Sequence, residues 1–381
     1  MNTKQIIPAA IDAGNDQLKG FIGSLDKKVN IPNVVAPLKK RDYLELESDP
    51  LDGLHVEIIS GALKEGKNTV AVGNLAMKYD NKDELDTNTT KADDDQPVIL
   101  LLTALALKAV ENATEDVIEV NYTLSTGLPL KESKQGKRKV FKEKLFKNSH
   151  QVTFLETPKY KGKTVKINIV DGLVNIEGRS AMIDLTMNED GSLRNEELTK
   201  HYVLIDDIGG LSSDLAVIEP GGSVDNVNSD GIKEGVLPYL DNIIKRVEDT
   251  YNYRIGSRRE LVEIITNEDP EEKNHIWKKG QRISIQDIVD DELITLAREE
   301  YKVIKRVWNK VPKIRYGYQI GGGSIILKEY LEKLNKDDEN FPLRFVKKED
   351  SIWMIARAYW KLLMIYLQEK NSEVAAATET E

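Results

Sequence analysis

Residues 207–214, with the sequence DIGGLSSD, combine the side chains and the backbone freedom that phosphate binding requires. They place a carboxylate, two glycines and two serines where an apolar strand ends. Glycine lets backbone amides approach phosphate oxygens, the hydroxyls add hydrogen-bond donors, and Asp207 can hold a hydrated Mg²⁺. The pattern predicts a phosphate-binding turn; a hairpin bend with an incidental aspartate is the alternative.

Two further glycine turns flank this one along the chain. Residues 11–19 (IDAGNDQLK) again end an apolar strand in Asp-x-Gly, and residues 320–327 (IGGGSIIL) fit a strand that turns into a helix. Such a helix would direct its N-terminal N–H groups at an anion or a nucleoside. Taken singly, the first turn can be an ordinary bend and the third a flexible link. Their order predicts a nucleotide bound between two similar halves.

Other common sites are excluded by what the sequence lacks. It contains no Gly-x-x-x-x-Gly-Lys-Ser/Thr motif, and no Gly-x-Gly-x-x-Gly follows an early strand, so a P-loop and a dinucleotide site are without support. The absence of cysteine excludes disulfides, thiolate zinc sites and a cysteine nucleophile, and it fits a reducing compartment. The histidines are scattered without metal-ligand spacing: His55, His150, His201 and His275.

The composition indicates a folded, acidic protein. Of the 381 residues 40% are hydrophobic and 31% are charged, and the formal net charge is −10. This charge argues against direct nucleic-acid binding, and the basic stretch 131–147 is interpreted as a solvated helix face. No signal peptide is evident, and the longest apolar run, residues 98–107, falls short of the roughly 20 residues that span a bilayer. We expect a cytoplasmic protein.

A recurring order of strand, glycine turn and helix predicts how these turns are positioned. We expect an α/β fold with two similar domains at residues 1–190 and 191–370. Polar composition predicts a small inserted subdomain in each, at about 37–96 and about 254–300. The acidic end of the chain, residues 371–381, is predicted to be a disordered tail.

The last predicted helix, residues 350–369, is apolar around most of its circumference. Within its apolar part only Arg357 and Lys361 are charged. A membrane anchor is one interpretation, but a helix that is apolar on all sides is more typical of a buried core element. We expect it to pack inside the protein.

In their order, the three glycine turns resemble the phosphate 1, phosphate 2 and adenosine motifs of the superfamily of actins, sugar kinases and heat-shock chaperones. Lys19, seven residues after Asp12, resembles the actin-type phosphate lysine. Residues 174–181 (VNIEGRSA) resemble the catalytic-glutamate segment of the ParM family of plasmid-segregating bacterial actins, with Ile176 where that pattern has proline. The resemblance implies an actin-like, ribonuclease H-like two-lobed fold with the nucleotide in the cleft between two similar α/β domains.

The resemblance also implies roles for individual residues. Asp12 and Asp207 would hold Mg²⁺ through water and, with Glu177 positioning the attacking water, form the catalytic set. Lys233 and Glu234 stand about where the family contacts the base, with a solvated turn as the alternative. The implied nucleotide-binding residues are Asp12, Gly14, Asn15, Asp16, Gln17, Lys19, Asp207, Gly209, Gly210, Leu211, Ser212, Lys233, Glu234, Gly321, Gly322, Gly323 and Ser324.

The function implied by the resemblance is that of an ATPase, or also a GTPase, that polymerises into filaments of itself on nucleotide binding. Such filaments would segregate plasmid DNA through a DNA-binding adaptor protein at the plasmid centromere, without direct contact with nucleic acid or membrane. Two alternatives stay open. One is a sugar or acid kinase of the same fold, and the other is a membrane-associated scaffold in cell division or shape.

Overall fold

The computed structural model describes residues 5–41, 48–84, 90–111 and 113–378. The chain divides into two compact units. The first unit comprises Met1–Arg194 together with Trp353–Glu381, and the second comprises Asn195–Ile352. The predicted domain boundary near residue 190 therefore lies close to the observed division. The segment 353–370 differs from the expectation, because it belongs to the first unit.

The first unit is built on a ten-stranded mixed sheet. Its strands are β1 (Ile6–Ala13), β2 (Gln17–Ile22), β3 (Lys28–Pro32), β4 (Val34–Pro37), β5 (His55–Ser60), β6 (Lys67–Val72), β7 (Asp83–Glu84), β8 (Val117–Leu128), β9 (His150–Phe154) and β10 (Thr164–Ile176). Their order across the sheet is β3-β2-β1-β8-β10-β9-β5-β6-β4-β7. The segment 37–96, predicted as an inserted subdomain, thus supplies strands that extend the same sheet beyond β9.

Helices cover this sheet. They are α1 (Gln96–Val110), α2 (Leu130–Lys134), α3 (Lys137–Phe146) and α4 (Glu177–Thr186). Nearly every side chain of α1 is buried, and the hydroxyl of Tyr122 on β8 donates to the carbonyl oxygen of Leu105 at 2.9 Å. The continuous apolar run that the sequence shows at 98–107 is therefore a core helix.

The second unit contains a smaller, five-stranded sheet. Its elements are α5 (Glu196–Thr199), β11 (Tyr202–Ile208), β12 (Ser213–Ile218), β13 (Asp230–Ile232), α6 (Leu237–Tyr251), α7 (Arg258–Ile265), β14 (His275–Lys278), β15 (Gln281–Ser284), α8 (Gln286–Lys310), β16 (Ile314–Ile320), α9 (Gly321–Asp337) and β17 (Leu343–Phe345). The sheet order is β13-β12-β11-β16-β17, and β14 with β15 forms a separate hairpin. That hairpin lies within the segment 254–300 predicted as the second insertion.

The two units share one arrangement of strands. In the first, β1 pairs with β2 in an antiparallel hairpin and with β8 in parallel; in the second, β11 pairs with β12 and β16 in the same two senses. Asp12 lies opposite Lys19 in the first hairpin, and Asp207 lies opposite Asp214 in the second. The expected α/β fold with two similar halves is confirmed.

The last helix, α10 (Lys348–Thr378), packs into the first unit from Trp353 onward. Ala358, Tyr359 and Leu363 are fully buried, as expected for a core element. In the described ranges no helix is both apolar enough and long enough to span a bilayer. The helix continues to Thr378, so the described part of the predicted disordered tail is helical; residues 379–381 lie outside the described residues.

Candidate functional site

The first glycine turn joins β1 to β2 just after Asp12. Gly14 lies in this turn, and a Cβ added to it would lie 2.8 Å from the carbonyl oxygen of Gln17. A side chain at this position would therefore force the turn open. The glycine of the sequence motif is a steric requirement of the turn.

Buried Asn33 holds this turn in place. Its side-chain amide donates to the carbonyl oxygen of Gly14 at 2.8 Å, and its backbone amide donates to that of Asp16 at 2.8 Å. Gln96, at the start of α1, donates to Oδ1 of Asn33 at 2.8 Å. The predicted phosphate-contacting residues of the turn are at the surface, wholly or in part: Asn15, Asp16 and Gln17. The turn is thus fixed on one side and open on the other.

The second turn, between β11 and β12, repeats this geometry. A Cβ added to Gly209 would lie 2.8 Å from the carbonyl oxygen of Ser212, the same separation as between Gly14 and Gln17. The amide of Gly209 donates to that oxygen at 2.9 Å. Because this amide is engaged within the turn, we expect a phosphate to be contacted by the amides that follow it.

The start of α6 fixes the second turn. The amides of Val236 and Leu237 donate to the carbonyl oxygens of Gly209 and Gly210 at 3.2 and 2.8 Å. A Cβ on Gly235 would lie only 2.4 Å from the carbonyl group of Gly210. The turn therefore rests directly on the backbone that begins the helix, which engages the carbonyl groups of Gly209 and Gly210.

The third glycine turn is the junction of β16 and α9, as the sequence predicts. Gly321 has φ +80°, and a Cβ on it would lie 2.4 Å from Oδ1 of Asp207. A Cβ on Gly323 would lie 2.4 Å from Cγ2 of Ile208, whereas Gly322 faces open space. The helix N-terminus and the Asp207 turn are therefore neighbours within the second unit. Buried Ser324 donates to the carbonyl oxygen of Gly321 at 2.8 Å, so its hydroxyl is used inside the turn.

Glu177 is the first residue of α4, immediately after β10. Its Oε1 lies 2.6 Å from Nζ of Lys91, and the side chains of both are largely buried, with 13% and 6% exposed. Arg138 fixes the end of β10 by donating to the carbonyl oxygen of Val174 through Nε and Nη2, at 2.8 and 2.6 Å. Sequence reasoning missed Lys91, because it lies in the polar segment 37–96, which we predicted to be an inserted subdomain.

Opposing effects set the charges around Glu177. Burial raises the pKa of Asp12 to about 6, an effect that Lys91 opposes and Glu177 reinforces. Burial disfavours the charged form of Lys91, but Glu177 and Asp12 outweigh it and hold the pKa of Lys91 above its usual value. Burial also raises the pKa of Glu132, which is opposed by hydrogen bonds from two backbone amides. The cluster is therefore a buried ammonium among several carboxylates.

Helix α10 anchors the helix that carries Glu177. The guanidinium of Arg357 makes a two-pronged contact with Asp184 on α4, Nε to Oδ1 at 2.8 Å and Nη2 to Oδ2 at 2.6 Å. Lys361, buried with 2% of its side chain exposed, lies 2.7 Å from Oδ1 of Asp184 and donates to the carbonyl oxygen of Met187 at 2.8 Å. Arg357 and Lys361, the two charged residues in the apolar part of the last helix, therefore both contact Asp184.

The two residues predicted near the base are on the surface of the second unit. Lys233 and Glu234 are both exposed between β13 and α6. Glu234 accepts a hydrogen bond from the hydroxyl of Tyr239 at 3.1 Å. Their placement agrees equally with the alternative of a solvated turn, so their role stays a prediction.

Two domain families match the sequence. "Actin like proteins N terminal domain" matches residues 10–178, and "Alp7A C-terminal domain" matches residues 202–344. Together these matches extend over most of the chain. The chain belongs to the actin-like proteins. The resemblance to a ParM-like bacterial actin, and the actin-like fold that it implies, are confirmed.

Solved structures of other actin-like proteins share this fold. Bacillus thuringiensis ParM with ATP is 22% identical, with a TM-score of 0.73 over 96% of this chain and 100% of that chain. The actin-like protein Alp7A is 20% identical, with a TM-score of 0.79 over 98% of this chain and 100% of that chain. A structure described as a non-polymerisable quadruple mutant of pCBH ParM is 18% identical, with a TM-score of 0.67 over 94% and 99%. No curated protein sequence matches the chain.

The carboxylates of this actin-like chain fit a magnesium ion that is held with a phosphate. Among the residues that the structure describes, no group of three or more His, Asp or Glu side chains is placed to hold a metal ion. Mg²⁺ is typically held by one or two carboxylates, several waters and phosphate oxygens, so it needs no such group. Asp12 and Asp207, each beside a glycine turn, are carboxylates of the required kind.

The second unit also contains a buried polar cluster that sequence reasoning missed. Asp206, Ser213, Gln319 and Glu300 are fully buried. Oδ1 of Asp206 accepts a hydrogen bond from Oγ of Ser213 at 2.9 Å, and Asp206 lies beside Gln319 across β11 and β16. Burial is the largest effect that raises the pKa of both Asp206 and Glu300, and their mutual repulsion adds to that of Glu300. The cluster lies on the sheet face opposite to Asp207, because neighbouring residues of a strand alternate.

Proposed function

We propose that this actin-like chain binds ATP, or also GTP, with Mg²⁺ and hydrolyses it, and that nucleotide binding drives its polymerisation into filaments. The observation that carries the proposal is the repeated turn: an aspartate, then a glycine whose added Cβ would lie 2.8 Å from a carbonyl oxygen three residues on, in both units. A tight glycine turn of this kind keeps side chains away from the backbone amides that follow it, which phosphate oxygens can then contact. The ParM structure that contains ATP supports the choice of nucleotide.

In this proposal the glycine turns bind the phosphate chain and the two aspartates position Mg²⁺. The backbone of the turns at Gly14 and Gly209 contacts the phosphate chain, and Lys19 contacts the β and γ phosphates. Asp12 and Asp207 hold Mg²⁺ through water, while the start of α9 at Gly321 faces the nucleoside. When bound, Mg²⁺ neutralises charge on the phosphates.

In this proposal Glu177 orients the attacking water. It begins a helix and its carboxylate is fixed on one oxygen by Lys91. In hydrolysis the water oxygen forms a bond to the γ phosphorus, the bond from that phosphorus to the β–γ bridging oxygen breaks, and the water's proton leaves through the carboxylate to the phosphate. Phosphoryl transfer of this kind depends on in-line placement and on charge stabilisation.

We further propose that the filaments act in plasmid segregation in the cytoplasm, through a DNA-binding adaptor protein. Support comes from the ParM and Alp7A folds, and from the polymerisation that the description of the pCBH ParM mutant implies for its parent. The net charge of −10 supports an adaptor in place of direct contact with DNA.

One experiment tests the proposal. Purified protein is incubated with Mg-ATP or Mg-GTP and followed by light scattering, pelleting and phosphate release. We expect polymer that forms only with nucleotide, together with phosphate release. Absence of polymer well above micromolar concentration, with ATP consumption that depends on an added sugar, would contradict it in favour of a small-molecule kinase. Co-sedimentation with liposomes in the absence of nucleotide would favour a membrane scaffold.

A further inference from the structure

Lys91 differs from a typical surface lysine because its side chain is buried and paired. It lies in the turn before α1, and only 6% of its side chain is exposed. Its ammonium is 2.6 Å from Oε1 of Glu177, a residue 86 positions later in the sequence. Burying an ammonium is costly unless it is paired, and the partner of this one is the carboxylate of Glu177.

A second carboxylate fixes the backbone on which Lys91 stands. Oε1 of Glu132, on α2, accepts a hydrogen bond from the amide of Lys91 at 2.9 Å, and Oε2 accepts one from the amide of Ala92 at 3.1 Å. Glu132 is itself buried, with 6% exposed. The two oxygens of one carboxylate thus hold two consecutive amides.

Basic residues of α3 hold the same turn from its other side. Lys137 donates to the hydroxyl of Thr90 at 3.0 Å and forms an ion pair with Asp93. Lys144 donates to the carbonyl oxygen of Asp94 at 3.0 Å. The basic stretch 131–147, interpreted from the sequence as a solvated helix face, therefore helps to fix the turn that carries Lys91.

We propose that Lys91 is a positioning residue for hydrolysis, which holds the carboxylate of Glu177 in the orientation that the attacking water requires. Lys91 occupies Oε1, so Oε2 is the oxygen that accepts the hydrogen bond of the water. This inference rests on the proposed function. The hydrogen bond of Lys91 is to Glu177, and its charge also acts on nearby Asp12, so its loss should lower the rate of hydrolysis far more than the nucleotide affinity.

The test is a double-mutant cycle with Lys91→Met and Glu177→Gln. Met keeps the length and apolar stem of lysine without its charge. We expect Lys91→Met to lower kcat for phosphate release by about tenfold, which is less than the roughly 10²–10⁴-fold contribution of an acid–base group itself, and to change the Kd for a fluorescent ATP analogue by less than about threefold. In the Glu177→Gln background, Lys91→Met should lower kcat by less than about twofold.

Further variants separate positioning from a general loss of structure. Lys91→Arg keeps a cation beside Glu177 and should recover most of the lost rate. Lys139→Met removes an exposed lysine of α3 and should leave both kcat and Kd unchanged. Thermal unfolding of each variant shows whether it is folded, and the double variant removes a buried positive and a buried negative charge together, so it stays informative if Lys91→Met alone unfolds.

Three results would overturn the inference. The first is an unchanged kcat in folded Lys91→Met. The second is an effect of Lys91→Met that is as large in the Glu177→Gln background as in the wild type. The third is a loss of ATP affinity of about tenfold or more, which would show that Lys91 acts mainly in nucleotide binding. A wild-type protein that binds no nucleotide and releases no phosphate would instead refute the proposed function.

Discussion

Gly321 lies directly against the carboxylate of Asp207, because a Cβ on Gly321 would be 2.4 Å from Oδ1 of that residue. The contact joins the start of α9 to the end of β11. The first glycine of the triplet is therefore required because there is no space for a side chain, and not only because glycine makes the chain flexible. The carboxylate that we assign to Mg²⁺ and the helix N-terminus that we assign to the nucleoside cannot be altered independently.

Gly321→Ala should therefore weaken nucleotide binding. The new methyl group displaces Asp207, and the left-handed backbone at φ +80° adds strain of about 1–2 kcal/mol. We expect the affinity for Mg-ATP to fall by about tenfold or more, as measured with a fluorescent analogue. Gly280→Ala is the matched control, because Gly280 has φ +76° but open space around an added Cβ. An equal loss of affinity in both variants would show that backbone strain alone is responsible.

Asp207→Asn should abolish most of the magnesium dependence of nucleotide binding. The amide keeps the size of the side chain and removes its charge, so the water-mediated contact with Mg²⁺ is weakened. Titration of ATP with and without EDTA measures the effect, and we expect the wild type to show a clearly larger difference than the variant. Asp241→Asn removes a carboxylate from an exposed ion pair with Arg258 in the same unit and should retain the wild-type difference. Magnesium dependence that persists in Asp207→Asn would remove this residue from the metal site.

Asp184→Ala should destabilise the first unit strongly. It leaves Arg357 and Lys361 without the carboxylate between them, and Lys361 is only 2% exposed. Removing one partner from a buried ion pair typically costs about 3–5 kcal/mol. Urea unfolding followed by circular dichroism measures the free energy of unfolding. Glu143→Ala, which removes an exposed ion pair with Lys147, should cost no more than about 0.5 kcal/mol. Similar values for the two variants would contradict a structural role of this contact.

Glu300 should make the stability of the second unit depend on pH. Burial, and then repulsion by Asp206, raise its pKa above the ordinary value of 4.5. The folded state thus holds a proton that the unfolded chain releases, so this stabilisation is complete at low pH and is lost as pH rises from about 4.5 through the raised pKa. Glu300→Gln keeps a neutral side chain at all these values.

We therefore expect the unfolding midpoint of Glu300→Gln to fall less than that of the wild type between pH 5 and pH 9, a window that covers the raised pKa. Asp206 is retained in the variant and leaves a residual slope, because its pKa is raised as well. Glu299→Gln changes an exposed neighbour on the same helix and should keep the wild-type dependence. Parallel pH profiles for wild type and Glu300→Gln would show that Glu300 is not the group responsible.

The glycine turns could be predicted from sequence because their cause is local. Gly14 and Gly209 each close a turn against a carbonyl oxygen three residues away, and the motif Asp-x-Gly contains both the requirement and its solution. The strand or helix that follows was likewise indicated by local apolar pattern. Glu177 begins a helix directly after β10, and the catalytic role that the resemblance implies for it stays a prediction.

Long-range contacts could not be predicted in the same way. Lys91 lies in a segment dense in polar residues, and only its pairing with Glu177, set by the folded sheet, removes it from water. Asp206 directly precedes the Asp207 motif, but strand alternation turns it to the opposite face, where Glu300 of α8 lies close enough for the two carboxylates to repel. Neither contact can be inferred from the residue types or their spacing within a single helix or strand.

The contact between α4 and α10 has a consequence for how the protein is made. Asp184 and Arg357 are 173 positions apart, and the whole second unit is synthesised between them. On the ribosome, Asp184 is synthesised well before Arg357 and Lys361, so its ion pairs with them can form only after α10 emerges. The helix that begins with Glu177 therefore gains its final support late in synthesis, and chains truncated before Arg357 would leave the segment that we assign to hydrolysis incompletely anchored.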